Sequence, residues 1–168
     1  MGALILAGVL VLTGCSASRG ANAVETGERL LTYPGIADTS VLVSGSKSGF
    51  TVSTSASITV SLAAGYTVAD ADAFVGWALR TGWSVNNTKL NSGVMVTVLD
   101  ANATPLSWDL CAAALETFGV AASSEPAIAR ANYEATGTVS VRADELETIL
   151  GPWPGDIPTF PADALTRK

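Results

Sequence analysis

The sequence predicts an α+β domain: one two-layer unit in which an antiparallel or mixed sheet of about five strands carries two helices on one face. Three observations lead there. Residues 50–62 (FTVSTSASITVSL) alternate apolar and polar almost without a break, the period of a strand with one wet face. Two later segments, after Thr67 and after Thr104, set apolar side chains at helical spacing. Hydrophobic residues make up 48% of the 168-residue chain and charged ones 14%, which suits a packed globule and argues against disorder.

Taken in order, Val41-Leu42-Val43 reads as a short first strand, and Ser44–Gly49 as a flexible loop joining it to the second in a hairpin. In the second strand Phe50, Val52, Ala56, Ile58, Val60 and Leu62 share one side, and serines and threonines fill the other. That second side reads as a wet sheet face, where β-branched threonine fits. Thr67, with Asp70 three residues on, has the form of a capping box. It opens a helix to about Arg80 with the stripe Ala71, Phe74, Val75, Ala78 and Leu79; Gly82 reads as the residue past its end, followed by hydrophobic Trp83. Val94–Leu99 is apolar on both faces and reads as an inner strand.

Thr104-Pro105 opens the second helix, with proline at its first position. Leu110, Cys111, Ala114, Leu115 and Phe118 form its buried stripe, and Gly119 ends it. Residues 129–134 and 139–142 alternate on either side of Thr136-Gly137 and read as a hairpin; Pro126 and the Arg130/Glu134 spacing allow a helix in place of its first arm. Asp144–Leu150 reads as a short helix. Residues 151–168 carry four prolines and two glycines, which oppose regular structure. Trp153, Ile157 and Phe160 are too apolar for a free tail, so this segment is expected to wrap onto the domain; the alternative is a polyproline-type ligand for another protein. The order β-β-α-β-α-β-β with a closing helix makes a ferredoxin-like topology a candidate.

Residues 3–12 (ALILAGVLVL) are uninterrupted apolar or small residues. The run suits a signal-peptide core and falls short of the ~20 residues a membrane-spanning helix needs. It ends in Leu12-Thr13-Gly14-Cys15, which resembles the bacterial lipobox, the leucine–small–small–cysteine pattern of lipoprotein precursors. Met1-Gly2 runs into the apolar stretch without the usual Lys or Arg. The resemblance implies that residues 1–14 are a signal peptide recognised through Leu12, Thr13 and Gly14. It implies that Cys15 carries a diacylglyceryl group and begins a tether, residues 15–38. The folded domain is then 39–150, with 151–168 as its C-terminal segment. The expected place is extracytoplasmic, on the outer face of the cytoplasmic membrane. Two acyl chains hold a protein there where one holds only marginally.

A net charge of −6 and a pI near 4.4 argue against a nucleic-acid partner and against electrostatic docking to anionic lipid. With Cys15 lipidated, Cys111 is the one thiol left, and among Leu110, Ala112, Ala113 and Ala114 it reads as a small buried hydrophobe.

The chain has no histidine, which removes Ser–His–Asp and Cys–His mechanisms and the commonest zinc ligand. No metal site, cofactor or catalytic set is expected. Ser44-Gly45-Ser46-Lys47 matches S-x-x-K, Ser84-Val85-Asn86 matches S-x-N and Arg80-Thr81-Gly82 imitates K-T-G, a set resembling the motifs of penicillin-binding proteins. Their order and their setting in a Gly/Ser loop do not fit that family, so the match reads as coincidence. Asp70 and Asp72 lie two apart on a helix and face different ways. The expected function is a non-catalytic binding or accessory module of the cell envelope, with an envelope protein or glycan as partner. Four tryptophans, Trp77, Trp83, Trp108 and Trp153, form the candidate ligand surface, suited to a glycan or small ligand. A His-free hydrolase is the third reading.

Overall fold

The computed structural model describes residues 19–121 and 123–168, and its architecture is α+β. In chain order the elements are α1 (Ala23–Leu30), β1 (Ile36–Ser48), β2 (Thr51–Leu62), β3 (Tyr66–Val68), α2 (Ala71–Ser84) and β4 (Gly93–Leu99), then α3 (Trp108–Phe118), α4 (Pro126–Thr136), β5 (Thr138–Arg142), α5 (Ala143–Leu150) and β6 (Leu165–Arg167). The main sheet has the order β1-β2-β4-β5 and is mixed: β1–β2 and β4–β5 are antiparallel, and β2–β4 is parallel. A parallel pair needs a crossover, and α2 supplies it. Among the described residues this is the one crossover of the sheet, and the order β1-β2-β4-β5 is not the ferredoxin-like one. β3 and β6 form a separate antiparallel pair.

The helices cover one face. On it Ala56, Ile58, Val60 and Leu62 of β2, Val94, Val96 and Val98 of β4, and Val139 and Val141 of β5 are buried. The other face shows the Ser/Thr side of β2, extended across the sheet by Ser40, Thr97 and Thr138 in register with Thr59.

Several boundaries differ from the sequence reading. β1 is 13 residues long, because Ser44–Ser48 pairs with Thr51–Ser55; the expected loop is ladder, and only Gly49 and Phe50 turn. Residues 23–38 are not tether. Asn22 caps α1 by accepting from Val24 N at 2.8 Å, Leu30 is fully buried, and β1 starts at Ile36. The cap of α2 is Asp70, whose Oδ1 accepts from Ala73 N at 2.9 Å; Thr67 lies in β3, opposite Thr166. α2 runs on through Gly82 to Ser84, so Gly82 is no terminus. α3 begins at Trp108 with Ser107 as its N-cap, because Asp100–Thr104 is a turn and Pro105 bridges back to Leu99. Leu110 of the expected stripe is exposed, and Cys111 and Ala114 are the residues of α3 that are buried. Residues 126–136 form the helix α4, the alternative to a strand, with Pro126 in its first turn and left-handed Gly137 after its end.

The segment after α5 lies on the domain. Trp153 Nε1 donates to the carbonyl of Val85 at 3.2 Å, and Trp83 Nε1 donates to that of Gly151 at 3.2 Å. Phe160 stacks on Tyr33, 4.4 Å between ring centres, and meets Trp77 edge-on at 5.0 Å. Regular structure returns at β6, despite the prolines before it.

Candidate functional site

One candidate is a groove of about 610 Å³ between α3, α4 and the outer edge of β5. Its walls follow from small residues. α3 turns Cys111 and Ala114 inward and leaves Ala112 and Ala113 facing the opening, so the helix surface there is shallow. Left-handed Gly119 ends α3, and Val120 beyond it closes one side. α4 buries one residue, Tyr133. Its ring lies against Trp108 at 5.4 Å and 48°, and its hydroxyl donates to the carbonyl of Leu106. Cys111 Sγ donates in turn to that hydroxyl at 3.3 Å. This chain of contacts fixes α4 against α3. Burial pushes the Tyr133 phenol well above its ordinary range, and burial likewise raises the Cys111 thiol. Both are neutral, and neither is activated as a nucleophile.

The third wall is polar backbone. Among the described residues β5 is the last strand of the sheet, and one side of it has no ladder partner there. Thr138 gives its N–H to Thr136 Oγ1 at 3.2 Å, and Arg142 gives its own to Glu145 Oε2 at 3.3 Å. These residues therefore point their backbone away from β4. Ser140 between them does the same, since alternate residues of an antiparallel strand share an orientation. Its exposed N–H and C=O form a donor–acceptor pair at the groove. Glu116 puts a carboxylate at the rim, and Glu145 there is ion-paired with Arg142 at 3.7 Å. The arrangement offers an apolar floor, one hydrogen-bonding backbone residue and negative charge at the mouth.

The sequence-chosen tryptophans do not form one surface. Trp108 lines the groove. Trp77 and Trp83 are 3% and 0% exposed and belong to the core, and half-buried Trp153 holds the C-terminal segment. Two of the four indoles cover core here, so a multi-tryptophan platform is excluded. Leu12, Thr13, Gly14 and Cys15 lie outside the described residues. The S-x-x-K pair is also parted. Ser44 Oγ bonds Ser55 Oγ at 3.1 Å on one face of the sheet, and Lys47, three residues along the strand, projects from the opposite face. No group of three potential metal ligands occurs among the described residues.

Sequence reasoning missed Tyr133, Val139 and Ser140 as groove residues. The available signal was Tyr133, the one aromatic in an alanine-rich helix, but the strand reading placed it on a hairpin. Comparison with protein-family models, with curated proteins and with solved structures finds no match for this chain.

Proposed function

We propose that this chain is an extracytoplasmic lipoprotein, held to the membrane through Cys15, that acts as a non-catalytic binding module. The groove beside β5 carries this reading. It is a concave site, mostly apolar, with one convergent backbone donor–acceptor pair, which is the usual make-up of a small-ligand pocket. The favoured ligand is compact, largely apolar and uncharged or cationic, because Glu116 at the mouth repels anions. The Leu12–Cys15 motif supports the anchor.

Two measurements test the two halves. Intact mass of the membrane fraction is expected to show a chain beginning at diacylated Cys15, and Cys15→Ser is expected to release it; an unmodified Cys15 refutes the anchor. Titration with Nile red, a neutral apolar probe, is expected to give a blue-shifted emission that Ala129→Phe, which fills the groove, weakens at least ~10-fold without lowering stability. Equal binding by both proteins, or none by either, refutes the groove.

A further inference from the structure

The β1–β2 hairpin outgrows its sheet. The parallel partner of β2 starts at Gly93, opposite Ser55, so residues 45–54 continue past it as a two-stranded arm. Asn91 buttresses the base of the arm, its Oδ1 accepting from Thr54 N and its Nδ2 donating to Val52 O, both at 2.6 Å. Beyond Val52 the arm is free. Phe50 at the turn is fully exposed, and Val52 is 52% exposed. From Thr39 to Leu62 the sole charged residue is Lys47, paired across the ladder with Val52. An acidic chain thus ends, on one side, in a tip with an aromatic ring, a valine and one positive charge.

The start of the described chain lies at the same end. Ala21 N donates to Ser84 O at 2.7 Å and Asn86 N to Ala21 O at 2.8 Å, which ties the start of the described chain to the C-terminus of α2. The loop that follows α2 is the one that braces the arm: Asn91 N and Ser92 N both bond Thr54 O. Cys15 is four residues before Arg19, a reach of at most about 14 Å. From Thr54 to Phe50 the arm extends about 13 Å. A bilayer that holds Cys15 therefore lies within reach of the arm.

We propose that the hairpin tip, Lys47 to Val52, is a membrane contact that seats Phe50 at the headgroup boundary of the bilayer holding Cys15, with Lys47 toward anionic headgroups. This rests on the anchor reading above. An exposed aromatic beside a lysine suits that boundary, where the ring leaves water and the ammonium stays hydrated. The chain as a whole, at net −6 with Lys47 included, is repelled by an anionic surface, which favours an approach tip first. Two attachment points, Cys15 and the tip, would fix how the domain stands on the membrane.

The test is amide hydrogen exchange on the full-length protein, reconstituted from host membranes into phosphatidylcholine vesicles with and without phosphatidylglycerol. The soluble Cys15→Ser chain is the free reference. Residues 46–53 are expected to exchange several-fold more slowly on vesicles, while β3, at the far end, is unchanged. Phe50→Ser is expected to erase the slowing, and Lys47→Glu to erase the part that depends on phosphatidylglycerol. Equal exchange of the tip on vesicles and in solution overturns the proposal, as does slowing that survives Phe50→Ser; a tip that serves a protein partner gives the first of these results. The mass of the Cys15 peptide from the same sample reads the anchor separately. If it is unmodified, the thiol is coupled to a maleimide lipid and the exchange measurement repeated, so the tip is still judged.

Discussion

Gly82 sets how closely helix and sheet approach. A methyl group at this position would stand 2.3 Å from Val94 Cγ1 and 3.3 Å from Ile58 Cγ1, inside the core and against branched side chains that cannot swing away. Gly82→Ala is therefore expected to destabilise, even though alanine favours a helix by about 1 kcal/mol. Overpacking of this kind costs about 1–3 kcal/mol. A urea midpoint at or above that of the parent would contradict it. The same contact explains why the residue looked like a helix end: glycine in a helical pattern signals either a cap or a close approach, and only the partner strand tells which. Tyr133 is the second telling residue. Tyr133→Phe keeps the ring against Trp108 but removes the donor to the Leu106 carbonyl and the acceptor for Cys111. A loss of about 1 kcal/mol is expected, with Nile red binding retained.

At the scale of elements, the strands announced themselves where one face was apolar and the other polar. Thr51–Leu62 was legible for that reason, although Phe50, read as its first apolar residue, is in the turn and exposed, and Val94–Leu99 was legible because an inner strand is largely apolar. The arm of β1 was not, since Ser44–Ser48 has no apolar face and its pairing is set by the partner strand alone. α4 was ambiguous because alanine-rich sequence fits either period, and the groove it forms was hidden with it. One connection carries a pH signature. Asp100 Oδ1 accepts from Asn102 N at 2.8 Å and Thr104 N at 2.9 Å, and the bonds from Thr104 and Asn102 hold its carboxyl below the usual 3.8. A depressed folded pKa means that the turn's extra stability is complete above the unfolded value and is lost as pH falls through the folded one. The amides of Asn102 and Thr104 should thus stay protected at pH 5 and begin to exchange faster only on acidification below about 4. Exchange rates that track base catalysis alone across that range would show that the carboxylate does not hold the turn.

For the whole molecule, the sheet and its helices do not close the core by themselves. Tyr33, Phe74 and Trp77 meet around Phe160, a residue far along the chain, and Trp83 and Trp153 exchange their indole hydrogen bonds with backbone across the same seam. Phe160→Ala is expected to cost about 2–3 kcal/mol, below the figure for a fully buried phenylalanine because the ring is partly exposed. An unfolding midpoint within error of the parent would show that the C-terminal segment is a passenger.

This late closure has a consequence for how the chain is made. The aromatic side of α2 is synthesised first and its cover much later, with roughly 80 residues between them; at ribosomal speeds the gap lasts roughly 4–16 seconds. Throughout that interval the nascent chain carries a sticky, unfinished surface. It cannot settle into its final form, and any factor that escorts unfolded polypeptides has time to take hold of it.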